Sequence, residues 1–90
     1  MNSKNRRQEK IKVLIKKALN TSNIDIVDNS RLHAGHGNVK AGDTETHLYI
    51  KIRTSEFEGL SKIEMHRMVY KILENEFNNG LHAIELDLAP

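Results

Sequence analysis

Five histidines and no cysteine are the chemically telling inventory of this 90-residue chain. Imidazole binds transition metals and moves protons near neutral pH. With no thiol, the chain has no disulfide framework, no catalytic cysteine, and no iron-sulfur or zinc site built from its own sulfur. His33 and His36 stand in H-x-x-H spacing, but a structural zinc site wants four ligands. The chain would have to add His82 and a carboxylate such as Asp43 or Glu45. His47 alternates with Lys51 and Arg53 and reads as an exposed sheet-surface residue. His66 falls within an apolar helical arc, where a hydrogen-bonded core role is favoured over ligation. His82 shares parity with Ile84, Leu86 and Leu88 and occupies the rim of an apolar face, where a small hydrophobe would be cheaper. No Ser-His-acid grouping and no phosphate-cradling glycine motif accompanies these residues, so catalysis by this chain is not expected.

The elements that must position these histidines follow from periodicity. Over residues 4–20, Ile11, Leu14, Ile15 and Ala18 recur at helical spacing, which predicts an amphipathic helix with its lysines outward. Asn20, Thr21, Ser22 and Asn23 end it with turn-forming side chains. A short strand is expected within 23–31, where Ile24 and Ile26 alternate with Asp25 and Val27. Residues 32–43 contain Gly35, Gly37 and Gly42, have no period, and read as a long loop. From 46 to 53 the alternation is clear, with Leu48, Ile50 and Ile52 facing one way and His47, Tyr49, Lys51 and Arg53 the other. Residues 54–59 read as a turn or a single helical turn ending at Gly59, and Ser61 with Glu64 forms a capping box that should start a longer helix. On that helix His66, Val69, Tyr70, Leu73 and Phe77 share an arc. Asn78, Asn79 and Gly80 stop it before a last strand at 81–88.

The resulting order, αββααβ, predicts an α+β fold: a three-stranded mixed sheet covered on one face by helices, forming a single domain over residues 1–90. The first two strands should form an antiparallel hairpin, and the helical crossover should lay the third parallel to the second. The start of the last strand, at His82, then lies at the same edge of the sheet as the loop carrying His33 and His36. One loop histidine and one strand-start histidine can face a common ligand.

The formal net charge is only +2, yet Lys4, Arg6, Arg7, Lys10, Lys12, Lys16 and Lys17 crowd the first helix. This asymmetry attracts anionic partners weakly. No stretch approaches the ~20 apolar residues of a membrane span, and a cytoplasmic, reducing location is the simplest expectation.

Several segments together resemble the BolA family: S-R-L-H-A-G-H in the loop, E-T-H-L at the second strand, S-E-F-E-G-L before the helix, M-H-R-M-V-Y within it, and G-L-H-A-I-E-L at the last strand. The resemblance implies a class II KH-like fold and association with a monothiol glutaredoxin to share a 2Fe-2S cluster. It implies that thiolates come from the glutaredoxin and from glutathione, while this chain contributes histidine nitrogen. The family's strand-start histidine corresponds to His82 and its loop histidine to His33, with His36 as the alternative. Where the family often has R-H-R in the helix, this chain has Met65, His66 and Arg67, one positive charge fewer. No cluster is expected on the isolated chain, which should be a monomer or a weak homodimer. Imidazole ligates only with its coordinating nitrogen deprotonated, so the shared cluster should loosen as pH falls through the imidazole range near ~6.5.

Two functional classes therefore stand. One is cluster sharing through His82 and a loop histidine, in cluster trafficking or in iron or redox regulation. The other is DNA binding by a KH-like transcriptional regulator, with Arg67, Lys51 and Arg53 as the partner or nucleic-acid surface. Against the second, the G-x-x-G loop of KH domains is missing between the helices, where only Gly59 appears.

Overall fold

The computed structural model describes residues 6–30 and 46–90. The element order is α1 (Arg6–Leu19), β1 (Ile24–Asp28), β2 (His47–Arg53), a 3-10 turn (Ser55–Phe57), α2 (Lys62–Ile72), α3 (Glu74–Asn78) and β3 (Ala83–Ala89). The sheet runs β1-β2-β3. β1 pairs antiparallel to β2, with Ile26 opposite Ile50, and β3 pairs parallel to β2, with His47 opposite Ala83. This is the expected topology, and it sets the start of β3 beside the start of β2.

The helices cover one face of the sheet. Leu48, Ile50 and Ile52 of β2 are buried against Ile11, Ile15 and Leu19 of α1 and Met65, Val69 and Leu73 of the α2 region. Two expected helical arcs are corrected. On α1 the buried stripe is Ile11, Ile15 and Leu19, whereas Leu14 and Ala18 are exposed. A stripe at i, i+4 and i+8 is narrower than the i, i+3, i+4, i+7 pattern, because a single sheet face meets the helix along one line. On the second helical segment the core arc runs through Met65, Val69 and Leu73, and Tyr70 is 44% exposed. The segment is not one continuous helix. It breaks at Leu73 (φ −97°, ψ 9°), where the Glu76 amide donates to the Leu73 carbonyl over three residues at 2.9 Å. Phe77 of α3 is partly buried, packing against the core while its ring stacks on exposed Tyr70 at 5.3 Å.

The ends of the elements are fixed by the expected side chains. Ser61 Oγ accepts from the Glu64 amide at 3.1 Å while the Glu64 carboxylate accepts from the Ser61 amide at 2.9 Å, completing the capping box. α1 stops at Asn20, which takes the left-handed conformation (φ 50°) that asparagine tolerates. Buried Thr54 ties two elements together, donating its hydroxyl to the Leu19 carbonyl at 2.8 Å and capping the 3-10 turn. Arg7 fastens α1 to α3, donating to buried Glu76 at 3.0 Å and to the Asn79 carbonyl at 2.6 Å.

Candidate functional site

The rim where β2 and β3 begin is the site toward which the sequence pointed. Its construction starts at Ser30, whose side chain is almost fully buried. The Asp28 carboxylate accepts from the Ser30 amide at 2.9 Å and from the Ser30 hydroxyl. Ser30 Oγ in turn accepts from the Thr46 amide at 2.8 Å and the His47 amide at 3.3 Å. The Thr46 carbonyl then receives the amides of both His82, at 2.8 Å, and Ala83, at 3.1 Å. Ser30 and Thr46, which bracket residues 31–45, are thus pinned to each other and to the strand-start histidine. Ser30→Ala should leave the Thr46 and His47 amides without their acceptor and cost about 1–3 kcal/mol. Urea unfolding with an unchanged m-value would read that loss directly, and a midpoint equal to wild type would refute this role of Ser30.

His82 is exposed at this rim, and its ring meets that of His47 with 5.8 Å between centroids at 61°. Both histidines depart from expectation. His82 does not continue the apolar face of Ile84, Leu86 and Leu88, and it is Leu81 that is buried. The reason lies in the backbone. Gly80 has φ +111°, the Leu81 amide still donates to Glu76 of α3, and two successive amides share the Thr46 carbonyl, so strand alternation starts only at Ala83. His47 is half-buried, not exposed, because the His82 ring lies against it. The pairing was not legible in the sequence, since it depends on the β2-β3 register and on this break of parity.

The other candidates are distributed. His33 and His36, together with Asp43 and Glu45, lie outside the described residues. His66 is half-buried on α2, with Nδ1 2.8 Å from the Lys62 carbonyl, so the hydrogen bond is present without the core position. Arg67 is exposed on α2, in the helical layer. Lys51 and Arg53 alternate with the buried residues of β2 and so face away from the helices. The three cations do not form one surface. Among the described residues no group of three or more histidine, cysteine, aspartate or glutamate side chains is placed to hold a metal ion, so any larger donor set needs atoms beyond them.

On the open sheet face Arg53 is engaged by Asp87, through a 3.0 Å ion pair and a 2.9 Å bond to the Asp87 carbonyl. The guanidinium of Arg53, followed by the hydroxyl of Tyr49, holds the Asp87 carboxyl below its ordinary 3.8. Desolvation, and then the hydrogen bond to Asp87, push the Tyr49 phenol above 10.0. Because the folded-state value of Asp87 is depressed, its contribution to stability is present above the unfolded value and is lost as pH falls through the folded one. In Arg53→Gln the Asp87 carboxyl should titrate nearer 3.8, as followed by carbonyl-carbon NMR; an unmoved midpoint would assign the shift to other groups.

The class defined by this arrangement is a small α+β module that presents an exposed imidazole at a sheet rim and has no sulfur of its own beyond methionine. The BolA-like protein family model matches residues 15–90, and the chain belongs to this family. It is 39% identical over 82 residues to the UV-induced protein uvi31 of Schizosaccharomyces pombe, covering 89% of this chain and 80% of that protein. It is 38% identical over 81 residues to the chloroplastic protein BOLA1 of Arabidopsis thaliana, covering 89% of this chain and 51% of that one. The chain thus spans about half the length of BOLA1. Among solved structures, the BolA domain of SufE1 from Arabidopsis thaliana superposes with a TM-score of 0.81 at 32% identity, covering 98% of this chain and 92% of that domain. Among the described residues no helix is long and apolar enough to cross a membrane.

Proposed function

We propose that this chain is a non-enzymatic module that binds a monothiol glutaredoxin and contributes histidine nitrogen to a 2Fe-2S cluster shared with it, in cluster trafficking or in iron or redox regulation. The observation that carries the reading is the position of His82: exposed, at the mouth of the sheet, and backed by a hydrogen-bonded backbone network. The donor set of the chain fits such a cluster in part. Nitrogen is present at an accessible rim and thiolate is absent from all 90 residues, so glutaredoxin and glutathione would supply the sulfur. His82 would hold the cluster, together with His33 or, alternatively, His36. When bound, a cluster with imidazole in place of thiolate carries a higher reduction potential. The chain's own part is to hold His82 outward: the Thr46 carbonyl fixes its backbone and the His47 ring lies beside its ring. A reducing compartment, cytoplasmic in the first instance, suits the thiolates involved.

The test mixes the full chain with a monothiol glutaredoxin, glutathione, iron and sulfide. A changed visible spectrum, with the two proteins eluting together by gel filtration, is the expected result. An unaltered glutaredoxin spectrum and separate elution would refute the reading.

DNA binding as a transcriptional regulator is the alternative. Arg53 is committed to Asp87, and Lys51 lies in register between Asp25 and Asp87, so the open face offers phosphate little unpaired positive charge.

A further inference from the structure

The outer face of α1 is apolar at its centre and cationic around it. Ile11, Ile15 and Leu19 turn into the core, whereas Val13 is 51% exposed and Leu14 37%. These two aliphatic side chains, with Asn75 and Asn79 of α3, line a recess of about 620 Å³ that also carries Arg6 and Lys10. Val13 borders a second recess as well, of about 290 Å³, where Lys12 and Lys16 stand. Val13 is thus a ridge between two basic-edged hollows. Apolar surface rimmed by polar groups marks an interaction site. The charge of the face is positive in spite of two carboxylates. Glu76 is buried, and its carboxylate is held by Arg7 at 3.0 Å and Lys10 at 3.5 Å. Glu9 is outnumbered by Arg6, Lys12 and Lys16, none of which forms an ion pair among the described residues. A nucleic-acid backbone would engage the cations but leave the apolar centre wet, and α1 has no aromatic ring on which a base could stack. A peptide that flanks aliphatic side chains with carboxylates uses both features.

We propose that the groove between α1 and α3 docks an acidic amphipathic helix of a partner protein. Its aliphatic side chains enter beside Val13 and Leu14, and its carboxylates meet Arg6, Lys12 and Lys16. An amphipathic helix laid in a groove anchors through residues at i, i+3, i+4 and i+7, and the charge pairs around it set the orientation and speed the encounter. The site involves neither His82 nor iron, so it and the cluster reading fail separately.

The test adds a short synthetic helix, with leucine at i, i+3, i+4 and i+7 and glutamate elsewhere, to the full chain, and follows fluorescence anisotropy and backbone-amide NMR. Saturable binding that shifts the amides of Val13, Leu14, Asn75 and Asn79 is expected, and added salt should weaken it. Serine in place of the leucines, or lysine in place of the glutamates, should weaken binding at least ~10-fold, the scale of losing one buried aliphatic side chain. Val13→Gln in the chain should do the same, and so should Arg6→Glu combined with Lys16→Glu. These positions are exposed, so the variants keep the fold. The peptide series on the wild-type chain decides the matter without any variant. No saturable binding, amide shifts confined to other elements, or a lysine peptide that binds as tightly would overturn the proposal. So would tighter binding of duplex DNA or of phosphatidylglycerol vesicles at the same amides, or self-association of the chain through this face, since each names another occupant. None of these outcomes touches the glutaredoxin reading, which visible absorption tests.

Discussion

His82→Ala should abolish the change that the wild-type chain produces in the visible spectrum of a glutaredoxin, glutathione, iron and sulfide mixture. The fold should be untouched, because the ring is exposed and the residue's hydrogen bond to Thr46 uses only its backbone amide. Substitutions at such surface positions usually stay within about 0.5 kcal/mol. A variant that melts with wild-type cooperativity but leaves the spectrum as glutaredoxin alone gives it would place a ligand at residue 82. Retention of the full wild-type spectrum by the folded variant would remove His82 from the cluster and leave the proposed function without its main support. His33→Ala and His36→Ala, measured alongside, identify the second nitrogen donor by the same readout.

The largest effect on stability should come from Phe57→Ala. Phe57 lies in the F-E-G segment shared with the family, yet it is a core residue, 1% exposed, seated where the 3-10 turn meets the sheet-facing helices. Truncating a buried phenylalanine removes apolar contact and leaves a cavity that a small domain cannot refill, at a cost of about 3–5 kcal/mol. In a domain of this size that lowers Tm on the order of 20 °C. Phe57→Leu should lose much less, because most of the volume remains, and it keeps the comparison measurable if the alanine variant does not fold. Equal melting temperatures for wild type and alanine variant would show that the turn does not anchor the core. Part of the family signature thus records packing, and part of it, at His82, records exposure.

The strand alternation at Leu48, Ile50 and Ile52 and the capping box at Ser61 were legible because each is a local pattern with one physical meaning. The parallel placement of β3 was legible because a helical crossover leaves few other topologies. The faces of the helices were not. Leu14, Ala18 and Tyr70 are apolar enough to suggest burial, but which side of a helix meets the sheet is settled by tertiary packing. His82 was assigned to the apolar face because strand parity was extended one residue too far. Gly80 in its left-handed conformation and the shared Thr46 carbonyl decide that parity, and neither acts through the period of the sequence. The partnership of His47 with His82 joins residues far apart in the chain and could be seen only once the register was known.

The staple formed by Asp28, Ser30 and Thr46 bears on tolerance to changes of length. It ties the two ends of the 31–45 segment together through bonds among Asp28, Ser30, Thr46 and His47. Lengthening a closed segment costs little, about 0.6 kcal/mol per doubling. A change of length in that stretch should therefore cost the fold little, while the imidazole at its foot stays in place.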